Sequence, residues 1–146
     1  MFYNNYKDRV GKNGEKFAEK YLKKRGYLFI ARNYWTEYGE IDLVFWHNFS
    51  LIFVEVKTRS SIEFGTGREA VDDSKKESII SSSKVFIKSH CIKNKAPFYL
   101  WKLPLKLKYR KLRYDVIEVC ANEISKYTIR THLKGYFGNK KMKGDV

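Results

Sequence analysis

GEIDLVFW at residues 39–46 and LIFVEVK at residues 51–57 alternate polar and apolar side chains on either side of a short polar link. Alternation with a period of two predicts β-strands that place one face in a core. A hairpin closed symmetrically about Asn48 and Phe49, with a loop of two or four residues, fixes how the strands pair. A loop longer or shorter by one residue would turn one strand's side chains to the opposite face, so this spacing decides what each face carries.

The predicted register gives the hairpin one apolar face and one face that is charged at its open end. The apolar face contains three pairs: Ile41 with Val56, Leu43 with Val54, and Phe45 with Ile52. On the other face, Asp42 lies directly opposite Glu55. Glu40 and Lys57 form the next pair on that face.

Asp42 and Glu55 would repel each other in this arrangement. Directly opposed β-carbons of an antiparallel pair lie about 4.5–5.5 Å apart, and like charges there destabilise a sheet. A divalent cation removes the conflict, because carboxylate oxygens are hard ligands suited to Mg²⁺ or Mn²⁺. The sequence therefore predicts a metal site, with a solvated hairpin face as the alternative.

The composition favours an anionic partner. At 146 residues the chain is long enough for one domain with a proper core, and its apolar fraction of 43% is ordinary for a globular protein. The formal net charge of +14 indicates nucleic acid as the partner, with lysine enriched by genome composition or for solubility as the alternative. A membrane surface is disfavoured, because no long basic amphipathic helix is apparent.

Targeting and redox signals predict a cytoplasmic protein. No stretch approaches the roughly 20 apolar residues of a membrane span. The polar N-terminus lacks a signal-peptide core. Cys91 and Cys120 are solitary, so we expect reduced thiols.

The order of predicted elements is that of an α/β domain with a mixed sheet of about five strands flanked by helices. The elements are a helix at residues 11–25, a strand at 27–31, the hairpin, a loop at 60–68, a helix at 72–89, a basic extended arm at 97–109, and strands at 112–120 and 126–131. We expect an N-terminal extension at residues 1–10, a single domain at 11–133, and a mobile basic tail at 134–146.

The two predicted helices carry further candidate residues. The first helix has an apolar stripe formed by Phe17, Ala18, Tyr21 and Leu22. Gly14 falls on this stripe, where it allows close packing, and Glu15 lies at its margin. Lys75 and Lys76 lie in the first turn of the second helix, where the helix dipole disfavours cations. They are therefore candidates for phosphate contacts, or simply two exposed lysines.

A series of motifs across residues 11–120 resembles a known family. The series includes GKNGEKFA at residues 11–18, GEIDL at 39–43, FVEVKTR at 53–59 and RYDV at 113–116. The chain resembles the YraN family of small bacterial proteins, within the PD-(D/E)xK nuclease superfamily and close to archaeal-type Holliday-junction resolvases. Two departures from that pattern are the absence of a proline before Asp42 and the pair Lys75-Lys76 where the family often has Lys-Gln.

The resemblance implies a restriction-endonuclease-like core and a set of site residues. Asp42, Glu55 and the backbone carbonyl of Val56 would hold Mg²⁺ or Mn²⁺, and Glu15 would reach the metal directly or through water. Lys57 would position the attacking water or stabilise charge on the phosphate. The expected phosphate contacts are Arg32, Arg59, Lys75, Lys76 and Arg113. An ion pair between Arg113 and Asp115, which share strand parity, is the alternative for that arginine.

These expectations together predict a metal-dependent nuclease that hydrolyses phosphodiester bonds, in DNA more than in RNA, with branched or structured DNA among the candidate substrates. Resolution of a junction requires two active sites, and a homodimer would supply them. The main alternative is a catalytically silent nucleic-acid-binding protein on a nuclease fold. A third interpretation is an interaction subunit that binds a partner protein through residues 97–113.

Overall fold

The computed structural model describes residues 2–60, 63, 70–93, 107–122 and 126–138. Its elements are α1 (Phe2–Lys24), β1 (Leu28–Thr36), β2 (Gly39–His47), β3 (Ser50–Arg59), α2 (Asp73–His90), β4 (Cys91–Lys93), β5 (Leu107–Tyr109), β6 (Lys111–Asn122) and β7 (Lys126–Phe137). Five strands form one sheet in the order β1-β2-β3-β6-β7, and β4 and β5 form a separate pair. The mixed α/β class and the five-stranded sheet are confirmed.

The sheet is mixed because the chain crosses over between β3 and β6. The first three strands form an antiparallel meander. β3 then pairs in parallel with β6, and β6 pairs antiparallel with β7. β3 is therefore the central strand, hydrogen-bonded on both sides.

Each face of the sheet is covered by one helix. Ala18 and Leu22 of α1 belong to a buried cluster with Leu43, Phe45, Ile52, Val54, Val56, Ile117 and Val119. Ile79 and Phe86 of α2 belong to a second cluster with Ile41, Val44, Leu51, Phe53, Tyr114 and Val116. The predicted apolar stripe of the first helix is thus confirmed.

The start predicted for α1 is wrong, whereas its end is confirmed. The helix begins at Phe2 and not at residue 11, and the side chains of residues 3–9 are all exposed, so no apolar stripe marks this part of the helix. At the other end, Gly26 has a φ of +81°. The N–H of Gly26 donates to Lys23 O at 3.1 Å and that of Tyr27 to Leu22 O at 3.2 Å, which is a Schellman cap.

The register of the β2–β3 hairpin is confirmed over its closed half. The pairs run from His47 with Ser50 to Leu43 with Val54. The two-residue turn has φ of +47° at Asn48 and +59° at Phe49, the signs of a type I′ turn.

Beyond Leu43, the hairpin departs from the predicted register. No pairing of Asp42 with Glu55, Glu40 with Lys57 or Ile41 with Val56 occurs in the ladder. Ile41 packs in the cluster on the α2 side, whereas Leu43 packs on the α1 side, so the predicted placement of both on one face is wrong. Alternation is interrupted at Asp42, the residue between them.

The later elements are close to those predicted. Asp72 caps α2, because its side chain accepts the N–H of Lys75 at 2.8 Å. β7 runs to Phe137, so its last residues are strand and not tail. Most of the predicted loop at 60–68, the arm as far as residue 106 and the tail from residue 139 lie outside the described residues. Within the described part of the chain, no helix is long and apolar enough to cross a membrane.

Candidate metal centre

Four elements bring charged side chains to one end of the sheet. β2 supplies Asp42 near its beginning, and β3 supplies Glu55 near its end. Glu15 of α1 and Lys75 of α2 lie near this end, one on each face of the sheet. The charges of both change the pKa of Asp42. The acidic pair therefore lies between two helices at the edge where the hairpin opens.

Asp42 is buried and is oriented by the backbone of the neighbouring strand. Its Oδ2 accepts the N–H of Val56 at 2.8 Å, which replaces the ladder bond that β2 no longer makes. Burial raises the pKa of Asp42 well above its ordinary value of 3.8, and the Glu55 carboxyl raises it further, whereas the Val56 N–H opposes the shift. The ionised form is thus disfavoured in the protein alone.

Glu55 is buried beside a cation that only partly satisfies it. Lys75 Nζ lies 3.6 Å from its Oε2, which is too long for a hydrogen bond. Among the described residues, this buried Oε2 has no hydrogen-bond partner. Burial raises the pKa of Glu55 above its ordinary 4.5. The charge of Lys75, a hydrogen bond with Asp42 and the charge of Lys57 oppose this shift only in part.

The backbone of Val56 supplies a third oxygen on the same side. In an antiparallel pair, one residue directs its N–H and its C=O to the same neighbouring strand. The Val56 N–H points to Asp42, so its carbonyl faces the gap that the open hairpin leaves. Two carboxylates and a carbonyl are hard oxygen donors that fit Mg²⁺ or Mn²⁺. Within the described residues, no group of three or more His, Cys, Asp or Glu side chains could hold a metal.

Glu15 and Lys57 lie at the rim of this site. Glu15 Oε2 accepts a hydrogen bond from Asn33 Nδ2 at 3.0 Å. Its charge also raises the pKa of Asp42, so the carboxylate is close enough to act on that residue. Lys57 is exposed, and its charge lowers the pKa of Glu55. Both are therefore near the pair, and the roles predicted for them stay predictions.

The predicted phosphate contacts are scattered. Lys75 lies at the pair, and Lys76 beside it contacts Asp73 at 3.3 Å. Arg59 ends β3, where its charge acts on Glu63. Arg32 lies along α1, 2.9 Å from Glu19.

Arg113 belongs to a different cluster, on the α1 face of the sheet. Its Nε and Nη2 donate to the two oxygens of Asp115, both at 2.8 Å, as the ion-pair alternative anticipated. Asp115 is fully buried and also contacts His132 Nε2 at 2.8 Å and the N–H of Gly135 at 3.0 Å. Burial by itself would raise the pKa of Asp115, but these contacts outweigh it and hold the pKa below 3.8.

The prediction missed two partners of the candidate residues. Glu19 is buried and forms ion pairs with Arg32 and Lys23, the Lys23 Nζ lying 2.6 Å from Glu19 Oε1. It lies four residues after Glu15, a spacing that places both on one helix face and could have indicated it. Asn33 donates to Glu15 from a backbone with φ of +47°, a conformation that asparagine adopts more readily than most residues, so its residue type was a weak signal.

The fold and the site define a mixed α/β protein with a buried carboxylate pair at the end of its central strand. Residues 14–119 match the uncharacterised protein family UPF0102, and the chain belongs to this family. Membership confirms the YraN-like assignment made from the motifs.

Several relatives are similar over most of their length. A UPF0102 protein of Alkaliphilus oremlandii is 40% identical over 129 residues, which are 88% of this chain and 97% of the relative. One from Caldanaerobacter subterraneus subsp. tengcongensis is 39% identical over 116 residues, 80% of this chain and 83% of the relative. One from Clostridium botulinum is 35% identical over 122 residues, 83% of this chain and 88% of the relative.

Proposed function

We propose that this protein is a metal-dependent nuclease that hydrolyses phosphodiester bonds, with DNA as its main substrate. The observation that carries the proposal is the buried pair of Asp42 and Glu55, both with raised pKa values and with one oxygen lacking a hydrogen bond. A fold gains no stability from such a pair alone, because burying like charges is costly. A divalent cation that binds both carboxylates would offset this cost.

The residues of the site suit this reaction. The Val56 N–H fixes the orientation of Asp42 through Oδ2, and a carboxylate oxygen of Asp42 would be the first metal ligand. Glu55 Oε2 and the Val56 carbonyl complete a set of three oxygens. A divalent cation bound there would lower the pKa of the attacking water and stabilise the negative charge that develops on the phosphate in the transition state. Lys57, an exposed ammonium two residues after Glu55, would hold the attacking water or a phosphate oxygen.

Lys75 gives the site a second state. At 3.6 Å from Glu55 Oε2, its ammonium partly neutralises the carboxylate in the free protein. A cation bound to Glu55 would release Lys75 toward a phosphate oxygen, because the side chain is 37% exposed and has room to move. Its role would then be substrate binding, as the sequence predicts.

The test is cleavage of a labelled panel, comprising a four-way junction, a flap, single strand, linear duplex and RNA, with Mg²⁺ or Mn²⁺. We expect Asp42→Asn and Lys57→Ala each to lower the cleavage rate by at least about 100-fold, as loss of one transition-state contact typically does. Glu77→Gln and Lys84→Ala, which change exposed residues of α2, serve as matched controls for charge. Equal cleavage by wild type and Asp42→Asn would assign the activity to a contaminant and overturn the proposal.

A second candidate is a nucleic-acid-binding protein without catalysis. The contact between Lys75 and Glu55 favours it, since an internal ammonium can replace a metal as the partner of a carboxylate. Calorimetric titration with Mn²⁺ separates the two functions. The nuclease binds Mn²⁺ with an affinity that Asp42→Asn lowers at least about tenfold, whereas a silent binder shows no binding that depends on Asp42.

A further inference from the structure

The β1–β2 turn exposes two large aromatic side chains at the end of the sheet that carries the acidic pair. Trp35 is 70% exposed and Tyr38 is 52% exposed. Tyr38 lies in the two-residue turn between the paired Thr36 and Gly39, and Trp35 precedes Thr36 in β1. Both rings are therefore accessible, and aromatic rings of this kind offer their faces to a ligand.

The backbone under these side chains is held firmly by α2. Ser78 Oγ donates to the carbonyl of Tyr38, and Ser82 Oγ donates to that of Gly39 at 3.3 Å. Thr36 Oγ1 lies 2.7 Å from Ser82 Oγ and accepts the N–H of Tyr38 at 3.0 Å. Ser82 is fully buried. The turn is thus pre-organised, so a ligand would not need to order it on binding.

The same helix places this turn next to the acidic pair. Lys75 contacts Glu55, and Ser78, one turn later in α2, contacts Tyr38. Three residues of helix span about 4.5 Å. Tyr38 and Asp42 are four residues apart in the chain, so at the rise of a strand their α-carbons lie no more than about 14 Å apart.

We propose that Trp35 and Tyr38 form a stacking platform for unpaired bases of the DNA strand whose phosphate reaches the acidic pair. The inference rests on the proposed function and narrows its substrate to single-stranded DNA or the unpaired part of a branch or flap. The net charge of +14 supplies the attraction for the backbone. Aromatic side chains bind the faces of bases, and a continuous duplex hides those faces within its own stack.

The spacing suits a short strand. Successive nucleotides of a stacked strand rise about 3.4 Å, so a base on the platform is separated from the phosphate at the acidic pair by only a few nucleotides. The platform would therefore read whether the strand next to the cut is unpaired. A substrate paired on both sides of the scissile phosphate would lose these contacts.

Binding without metal tests the platform independently of cleavage. Fluorescence anisotropy in EDTA would give the Kd of wild type, Trp35→Ala and Tyr38→Ala for a labelled oligothymidylate and for a duplex of the same length. We expect each alanine variant to weaken single-strand binding about tenfold, within the range for loss of one stacked base. The Kd for duplex would change less than about twofold, and Trp35→Phe would keep most of the affinity because its ring still stacks.

Two controls separate stacking from charge and from folding. An oligonucleotide with abasic sites keeps the phosphates, so it binds wild type more weakly and shows no further loss with Trp35→Ala. Phe49→Gly removes an exposed aromatic from the turn at the opposite end of β2, and it leaves the Kd unchanged. Thermal unfolding of each variant confirms that the fold is intact.

The outcomes distinguish this inference from the proposed function. Undiminished single-strand binding by both alanine variants, or an equal loss for single strand and duplex, would overturn the platform even if wild type cuts DNA with Mg²⁺. If the alanine variants bind single strands more weakly than wild type, but wild type cuts no substrate with Mg²⁺ or Mn²⁺, the platform is supported and the nuclease proposal is overturned.

Discussion

Asp42 is the residue at which stability and the proposed chemistry oppose each other. Its carboxyl group is buried, lies close to Glu55 and has a pKa well above 3.8. An acid with a raised pKa in the folded state makes the fold less stable as pH rises from its unfolded pKa through its folded pKa. The cost is therefore absent in acid and grows as pH rises above the unfolded pKa.

Asp42→Asn should consequently stabilise the protein in the absence of metal. Asparagine keeps an oxygen for the Val56 N–H and removes the charge. In EDTA at about pH 7, we expect the free energy of unfolding to rise by about 1 kcal/mol, and the gain to vanish below about pH 4. Urea unfolding at both pH values measures it, with the exposed Asp8→Asn as control. A variant less stable than wild type at neutral pH would show that the two carboxylates do not conflict.

Asp115 has the opposite dependence on pH. Its pKa is held below 3.8 by contacts with His132, Arg113 and Gly135 that outweigh burial. The stability it contributes is present above the unfolded pKa and is lost as pH falls through the folded pKa.

We expect Asp115→Asn to lower the free energy of unfolding by about 3 kcal/mol near neutral pH, because it leaves Arg113 without its charge partner. The difference from wild type should shrink below about pH 4. Denaturant curves across this range measure it, and a constant difference at all pH values would exclude the ionised Asp115 as the cause.

Close packing of α1 on β3 sets where the helix places Glu15 relative to the acidic pair. A β-carbon on Gly14 would overlap the side chain of Thr58, so only glycine lets the helix approach this closely. The approach brings Glu15, the next residue, toward Asp42. Helix position and site geometry are thus set by one small residue.

Gly14→Ala and Gly11→Ala form a matched pair, because both lie in α1 but a β-carbon on Gly11 meets nothing within 4 Å. We expect Gly11→Ala to stabilise by about 0.5–1 kcal/mol through helix propensity. Gly14→Ala should destabilise by about 1–3 kcal/mol through overpacking. Thermal or urea unfolding measures both, and Thr58→Ala should rescue part of the loss. An equal effect of the two alanines would show that the contact is loose.

The sequence predicted those elements whose cues are local. The two residues Asn48 and Phe49 and the alternation around them were enough to set the hairpin register. The break at Asp42 was missed, because alternation of residue types cannot show where a side chain replaces a backbone partner. The first turns of α1 were missed because exposed residues carry no stripe, and the salt bridge from Lys75 to Glu55 joins residues 20 apart along the chain.

For the whole molecule, the dominant feature is its positive charge. A formal net charge of +14 on 146 residues favours contact with the phosphates of nucleic acids, whatever their base sequence. Each phosphate contact releases counterions, so affinity falls steeply with salt.

We therefore expect the affinity for duplex DNA to fall at least about tenfold between about 50 mM and about 200 mM salt. Anisotropy titrations at several salt concentrations measure the slope. Affinity that hardly changes with salt would favour the interaction-subunit interpretation over nucleic-acid binding.

The parallel pairing of β3 with β6 has a consequence for synthesis. β3 ends at Arg59 and β6 begins at Lys111. At ordinary rates of elongation, the ribosome therefore needs about 3–10 s after completing β3 to reach the strand that pairs with its second edge. Until then the strand that bears Glu55 lies at an open edge, and part of the time without α2. An unpaired edge strand is a template for pairing with another chain, so this topology exposes the nascent protein to premature association until β6 is made.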